Sequence, residues 1–189
     1  MLTWRTGYRL FEQQRSRLRQ REDEFTAWVL ESRPIRLAGA AAIFTAAKSG
    51  IPLALTTTSG ANACCTKRIL LIATITTDAP HVDPEQRVKL KSVGAGITRV
   101  LLYFGFMEHP NIMEGLKLAC RDPALRLIDP ERITFYSRRI MVVPRGAVPG
   151  MSVWRERIFA TMHLNANRSA AYFGVLTSQV VEVGLEVEI

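Results

Sequence analysis

A chain of 189 residues is long enough to bury a core without disulfides or metal, and suits one domain or one domain with a helical arm. Its 48% hydrophobic, 22% charged and 8% aromatic residues exclude a collagen, a low-complexity disordered polymer and a disulfide scaffold. The formal net charge of +8, from 25 Lys and Arg against 17 Asp and Glu, points to phosphate-bearing partners such as an anionic membrane face, a nucleotide or a nucleic acid, or else to a solvated arginine-rich surface.

The positive excess is uneven. Met1–Arg21 holds six arginines against Glu12 alone, and Arg132–Arg168 holds seven against Glu156 alone. The last residues are acidic instead, with Glu182, Glu186 and Glu188. No stretch reaches the roughly 18–20 uninterrupted apolar residues of a membrane span. The best candidate, Leu37–Leu55, is broken by Lys48, Gly50 and Pro52. Met1–Arg21 has no apolar run for a secretory signal, and Glu22, Asp23 and Glu24 follow at once, against a transit peptide.

In chain order, Trp4, Tyr8, Phe11, Leu18, Phe25, Trp28 and Val29 recur at near-helical spacing and predict an amphipathic arm, which Pro34 ends. Residues 1–33 are therefore read as the arm and 34–189 as the domain proper. Ala40–Ala46 and Ile69–Ile75 read as buried strands. Val88–Lys91 and Ile97–Phe104 alternate around Gly94-Ala95-Gly96, the pattern of a hairpin. Asn111 stands three residues before Glu114 and predicts a capped helix to about Cys120, with Ile112, Leu116 and Ala119 on one face. Ile133–Val143 reads as a strand. Met151, Trp154, Ile158 and Met162 then define the inner face of a second core helix, with Arg155 and Arg157 outward. Val181, Val183, Leu185, Val187 and Ile189 alternate with polar residues or glycine to the last position, a strand tied into a sheet. The order of elements predicts an α/β or α+β fold, a mixed β-sheet with amphipathic helices and the N-terminal helical arm.

Chemistry-bearing patterns are sparse. His81, His109 and His163 have no metal spacing, and there is no GxGxxG, Walker loop, HExxH or paired CxxC. A zinc site on Cys64, Cys65 and His81 would have to recruit distant ligands. The three cysteines read as small semi-buried residues of a reduced protein. Met107 and Met113, close to Phe104 and Phe106, read as core packing. Glu108, between a strand end and a helix start, is read as an ion-pair partner of a basic residue in preference to a cation ligand. The chain is not expected to be an enzyme or to carry a cofactor or metal.

Three segments resemble a known family: Tyr103-Phe104-Gly105-Phe106-Met107-Glu108-His109-Pro110, the basic Thr3-Trp4-Arg5-Thr6-Gly7, and the ending Val180–Ile189. Ala79-Pro80 with Val82, Arg87-Val88, Gly150-Met151 with Trp154-Arg155-Glu156, and Asn165-Ala166 support them in order along the whole chain. Together they resemble the cytoplasmic C-terminal domain of the bacterial members of the Kup/HAK/KT potassium uptake transporters. The chain departs from the family where Ala54-Leu55 leads into a Thr-, Ser- and Ala-rich stretch, Thr56 to Lys67, in place of a His-, Asn- and Lys-rich one, and again around Arg132–Ile140.

The resemblance implies a regulatory, stabilising or dimerising domain on the cytoplasmic face of the bacterial inner membrane, without a pore of its own. Potassium uptake coupled to protons would reside in the transmembrane domain of the parent transporter, the first expected partner. A second copy of the chain and a cyclic dinucleotide are further expected partners, and sequence-specific nucleic acid is not. The alternatives are a nucleotide-binding regulatory module, for a cyclic dinucleotide or ATP, and a stand-alone relic of the transporter. Arg138, Arg139, Arg145 and Arg155 are the expected phosphate contacts, because guanidinium forks match phosphate geometry. Arg15, Arg17, Arg19 and Arg21 are expected to face an anionic membrane surface.

Overall fold

The computed structural model describes residues 2–17, 21–45, 50–52, 55–56, 64–144, 150–166, 175 and 177–188. The elements are α1 (Leu2–Arg17), α2 (Glu22–Ser32), β1 (Ile35–Phe44), β2 (Cys64–Thr77), β3 (Val88–Gly94), β4 (Ile97–Gly105), α3 (Ile112–Ala119), a 3-10 turn (Pro130–Arg132), β5 (Thr134–Val143), α4 (Val153–Ala166), a second 3-10 turn (Thr177–Gln179) and β6 (Val180–Glu188). The six strands form one sheet in the order β3-β4-β2-β1-β5-β6. β4, β2, β1 and β5 run parallel, and β3 is antiparallel to β4. The fold is therefore α/β with a mixed, mostly parallel sheet. The chain divides into two compact units, one of Gln20–Ser137 with Ser169–Val181, the other of Met1–Arg19, Arg138–Arg168 and Glu182–Ile189.

In the larger unit, β2 shows why the sheet is central. Ile69, Leu70, Leu71, Ile72 and Ala73 are all buried, the near-continuous apolar run of a strand covered on both faces. Successive side chains go to opposite faces. Leu70 and Ile72 join Val100, Leu102 and Phe104 of β4 and Ile112, Leu116 and Ala119 of α3. Ile69 and Leu71 join Ile97 and the α2 residues Phe25 and Val29. Thus α3 covers one face and α2 the other. α3 starts where its cap dictates, the Asn111 side chain accepting from the Glu114 amide at 3.3 Å. The β3–β4 hairpin closes through Ala95 and Gly96, whose φ of 51° and 80° are the positive pair that a two-residue turn between twisted strands requires.

The expected single arm is two helices. Arg21 is extended (φ −74°, ψ 151°), and α2 begins after it with Glu22, Asp23 and Glu24 in its first turn, where acidic side chains complement the helix dipole. α2 ends with Arg33 in the left-handed conformation, immediately before Pro34. Glu22 explains the restart. Its Oε1 accepts from Arg99 Nη2 at 2.7 Å and from the Gly50 amide at 2.8 Å, while Arg99 Nη2 also donates to the Gly50 carbonyl at 2.7 Å. Arg99 is fully buried.

In the smaller unit α1 packs on α4 through an aromatic cluster. Phe159 lies against Gly7, where an added Cβ would sit 2.5 Å from the ring. Trp4 meets Phe159 at 5.3 Å between centroids, and Phe11 meets His163 at 4.6 Å. Burial pushes the His163 imidazole below its ordinary pKa. The inward face of α4 differs from the expected one: Glu156, Phe159 and His163 are buried, whereas Trp154 and Ile158 are exposed. The bulky residues at three- and four-residue spacing marked a stripe, but the Gly7 notch admits the Phe159 ring and rotates Phe159 and His163 inward. Arg157 is exposed as expected, and Arg155 is half-buried.

Arg99→Met is expected to lower the unfolding free energy by about 3–5 kcal/mol, because it strands the Glu22 carboxylate without its guanidinium. Adding Glu22→Leu is expected to cost less than the sum of the two single changes, measured by urea denaturation of all four proteins; strictly additive losses would show that the two residues are not coupled.

Candidate functional site

The polar cluster on the residues that carry the family resemblance lies where β4 ends. Gly105 closes the strand, and a Cβ there would stand 2.0 Å from the Pro80 carbonyl oxygen, so only glycine lets the two backbone segments meet. The amides of Phe106 and Met107 donate to the carbonyls of Ala79 and Pro80 at 3.0 and 3.2 Å. Glu108 then turns back: its Oε2 accepts from the Gly105 amide at 2.6 Å, and its Oε1 accepts from Arg87. Arg87 Nη2 also donates to the Val82 carbonyl at 2.7 Å, and the guanidinium lies 5.4 Å from the centre of the Phe104 ring. The Gly105 amide first, and the Arg87 charge with it, hold the Glu108 carboxyl below the usual carboxylate range against the opposing effect of desolvation.

The expected ion pair of Glu108 is therefore present, and its partner is Arg87 at the foot of β3. Both carboxylate oxygens are engaged, which fits a structural brace better than a ligand site. His81 Nδ1 stands 3.9 Å from Glu108 Oε1 with its ring largely in solvent. Beside the brace is a cavity of about 510 Å³ lined by Thr77, His81, Val82, Gln86, Lys89 and Tyr103 among others. Among the described residues no group of three or more His, Cys, Asp or Glu is placed to hold a metal ion. Phe104 is buried and Met113 packs against the core, but Phe106 and Met107 are exposed, contrary to their reading as core. Their amides are committed to the 79–80 segment, which leaves the side chains on the outside of the turn. Cys65 is buried and Cys120 half-buried, and burial raises the Cys120 thiol pKa.

Of the expected phosphate contacts, Arg155 is half-buried on α4 and its Nε donates to Thr3 Oγ1 at 3.4 Å. Arg138 and Arg139 lie in β5; their side chains, and all of Arg145, are outside the described residues. Arg15 and Arg17 lie in α1 with side chains likewise outside, and so is all of Arg19. Arg21 is exposed and forks onto Asp23, Nε to Oδ1 at 3.1 Å and Nη2 to Oδ2 at 2.7 Å. Most of the divergent stretch after Leu55, residues 57–63, is outside the described residues as well. Sequence reasoning missed Arg99, although its signal was present: two residues after Ile97 in an alternating strand, it had to share the buried face.

Residues 38–189 match the family described as the K+ potassium transporter C-terminal domain. The chain belongs to that family. It is 45% identical over 189 residues, the whole chain and 31% of the relative, to the probable potassium transport system protein Kup 3 of Bradyrhizobium diazoefficiens. It is 29% identical over 189 residues to the Kup protein of Nitrosomonas eutropha and 33% over 192 residues to that of Pseudomonas aeruginosa, in each case covering the whole chain and 29% of the relative. The chain thus spans less than a third of the length of these relatives. No solved structure matches it. The family is one of transporter domains, not an enzyme class.

For a K+ transporter C-terminal domain the Glu108 brace has a measurable acid signature. A folded carboxyl pKa below the unfolded one adds stability that is complete above the unfolded value, about 4.3, and is lost as pH falls through the folded value. At pH 7 Glu108→Gln is expected to be less stable by about 1–3 kcal/mol. Its urea midpoint should converge on that of the unaltered protein as pH falls below about 4. A gap that stays constant into that range would assign the loss to packing and not to the carboxylate.

Proposed function

We propose that this chain is the accessory C-terminal domain of a Kup-type potassium transporter, placed on the cytoplasmic side of the membrane, with a regulatory, stabilising or dimerising effect on the transporter and no pore of its own. The carrying observation is one of coverage: all 189 residues align with relatives named as potassium transport system proteins, while filling only 31% of the most extensively matched of the three cited above. The remaining length is where the potassium path, with its coupling to protons, belongs in this reading, and that membrane portion is the domain's partner. Among the described residues no helix is long and apolar enough to cross a membrane. The polar clusters at Glu22 and Glu108 support the same reading, since the hydrogen bonds of each carboxylate are spent on fixing the fold.

The test is a chimera in which this chain replaces the matching segment of the Bradyrhizobium relative, expressed in a bacterium lacking its own potassium uptake systems. Uptake is expected to fall several-fold when the segment is deleted, to return with the chimera, and to be absent when this chain is expressed by itself. Full uptake by the deleted form, or a chimera as inactive as the deletion at equal membrane abundance, would refute the accessory role.

A further inference from the structure

Between the first half of β1 and the segment leading into β5 lies a cavity of about 510 Å³ that the accessory function above does not use. Its origin is a matter of register. β1 holds β2 along one side from Ile35, but it meets β5 only from Ala41, opposite Thr134. Ahead of that point the chain before β5 passes through the 3-10 turn at Pro130–Arg132, and β1 itself shifts register between Leu37 and Ala40. Gly39 carries the shift with φ 116°, and a Cβ there would touch nothing within 4 Å. The glycine therefore serves the backbone path, and the Ala38-Gly39-Ala40 wall is bare of bulky side chains.

The other walls are cationic. Lys67 and Arg68 come from β2 and Arg132 from the 3-10 turn, with Leu127 and Asp129 from the segment before it. Lys67 and Arg132 are exposed, whereas Arg68 is half-buried. Arg68 Nη1 is shielded from solvent and has no hydrogen-bond partner among the described residues. A guanidinium nitrogen without an acceptor in such a position is costly, and the cost is relieved by an anion. Asp129 does not fully answer it, since its Oδ1 accepts from the Glu131 amide at 3.0 Å to cap the turn. Strand alternation sends Lys67 to the opposite face of β2 from Arg68, so Arg68 and Arg132 against this one carboxylate leave one positive charge in the lining.

A phosphate monoester carries about −1.5 to −2 charge at pH 7 and presents three acceptor oxygens, which suits a guanidinium with a second guanidinium beside it. Leu127, 82% exposed at the same cavity, offers an apolar surface to whatever the phosphate is attached to. The volume lies within the roughly 300–1,000 Å³ of small-molecule sites. The geometry points to a binding site for the phosphate monoester group of a small organic anion, with Arg68 as the central contact, Arg132 closing on the phosphate, and Leu127 against the organic body.

The test titrates the 189-residue chain with inorganic phosphate and with phenyl phosphate at constant ionic strength, by calorimetry, and compares co-sedimentation with phosphatidylglycerol vesicles. Both soluble probes are expected to bind saturably, phenyl phosphate more tightly. Arg68→Gln should weaken both by about tenfold, equivalent to ~1.4 kcal/mol. Arg132→Gln, whose exposed side chain leaves the core intact, should weaken both several-fold and carry the test if the Arg68 variant does not fold, while Lys67→Gln, on the opposite face of β2, should weaken both far less. Leu127→Ser should abolish the preference for phenyl phosphate while leaving inorganic phosphate unchanged, and Arg157→Gln on α4 should change neither. Absence of saturable binding at millimolar probe, or an Arg132 variant that binds as the unaltered chain does, would overturn the proposal. Binding confined to the vesicles would overturn it too, making this a membrane-facing basic patch.

Discussion

The larger unit depends on a fully buried arginine. Arg99 sits on the inner face of β4, and burying a guanidinium is tolerable only if its charge and donors are answered on the spot. Glu22 supplies the charge and Gly50 a carbonyl, so one side chain ties together the first turn of α2, the strand β4 and the chain that follows β1. The apolar contacts of Phe25 and Val29 with the sheet are non-directional, and would accept several rotations of α2. The Glu22–Arg99 pair accepts one. Its role is therefore orientational more than energetic, in line with the modest net worth of buried ion pairs relative to apolar replacements.

The same arrangement recurs at the other end of the strand. At Glu108, as at Glu22, a carboxylate takes one glycine amide and one guanidinium, and the guanidinium takes a backbone carbonyl besides. The glycines are required for different reasons: Gly105 because Pro80 occupies the place of a Cβ, and Gly50 because its φ of 81° disfavours a side chain. β4 is thus braced at both ends by charge-assisted hydrogen bonds, while its middle is held by the ladders to β2 and β3 and by apolar packing. A strand that pairs β2 on one side and β3 on the other has its register set by its buried apolar residues, and the end braces add specific contacts that a one-residue slip would break.

Much of this was legible in the residues. Strict alternation placed β6, the helix cap at Asn111 placed α3, and the positive-φ turn at 95–96 followed from the glycines that flank Ala95. Periodicity also placed the strands of the parallel core, because β-branched runs between turn signals have few other uses. It failed in two places, for one reason: spacing gives a face but not its partner. On α4 the bulky Trp154 and Ile158 outscored Phe159, and only the notch at Gly7, far away in sequence, decides which stripe turns inward. In the arm, Glu22 stood only as one of three acidic residues after Arg21, and its partner Arg99 lies 77 residues on. Ion pairs of that separation leave no local trace.

The net charge of +8 illustrates the same point electrostatically. A count treats all cations alike, but the fold sorts them. Arg87 and Arg99 are neutralised inside the unit and contribute little to the field felt by a ligand, and Arg21 is paired at the surface with Asp23. Arg68 and Arg132 gather round a gap where β1 outruns β5, with a single carboxylate between them. What concentrates unbalanced charge is thus a register mismatch between two strands and a run of small residues beside it, so the anion-attracting feature of this fold follows from backbone geometry before it follows from composition.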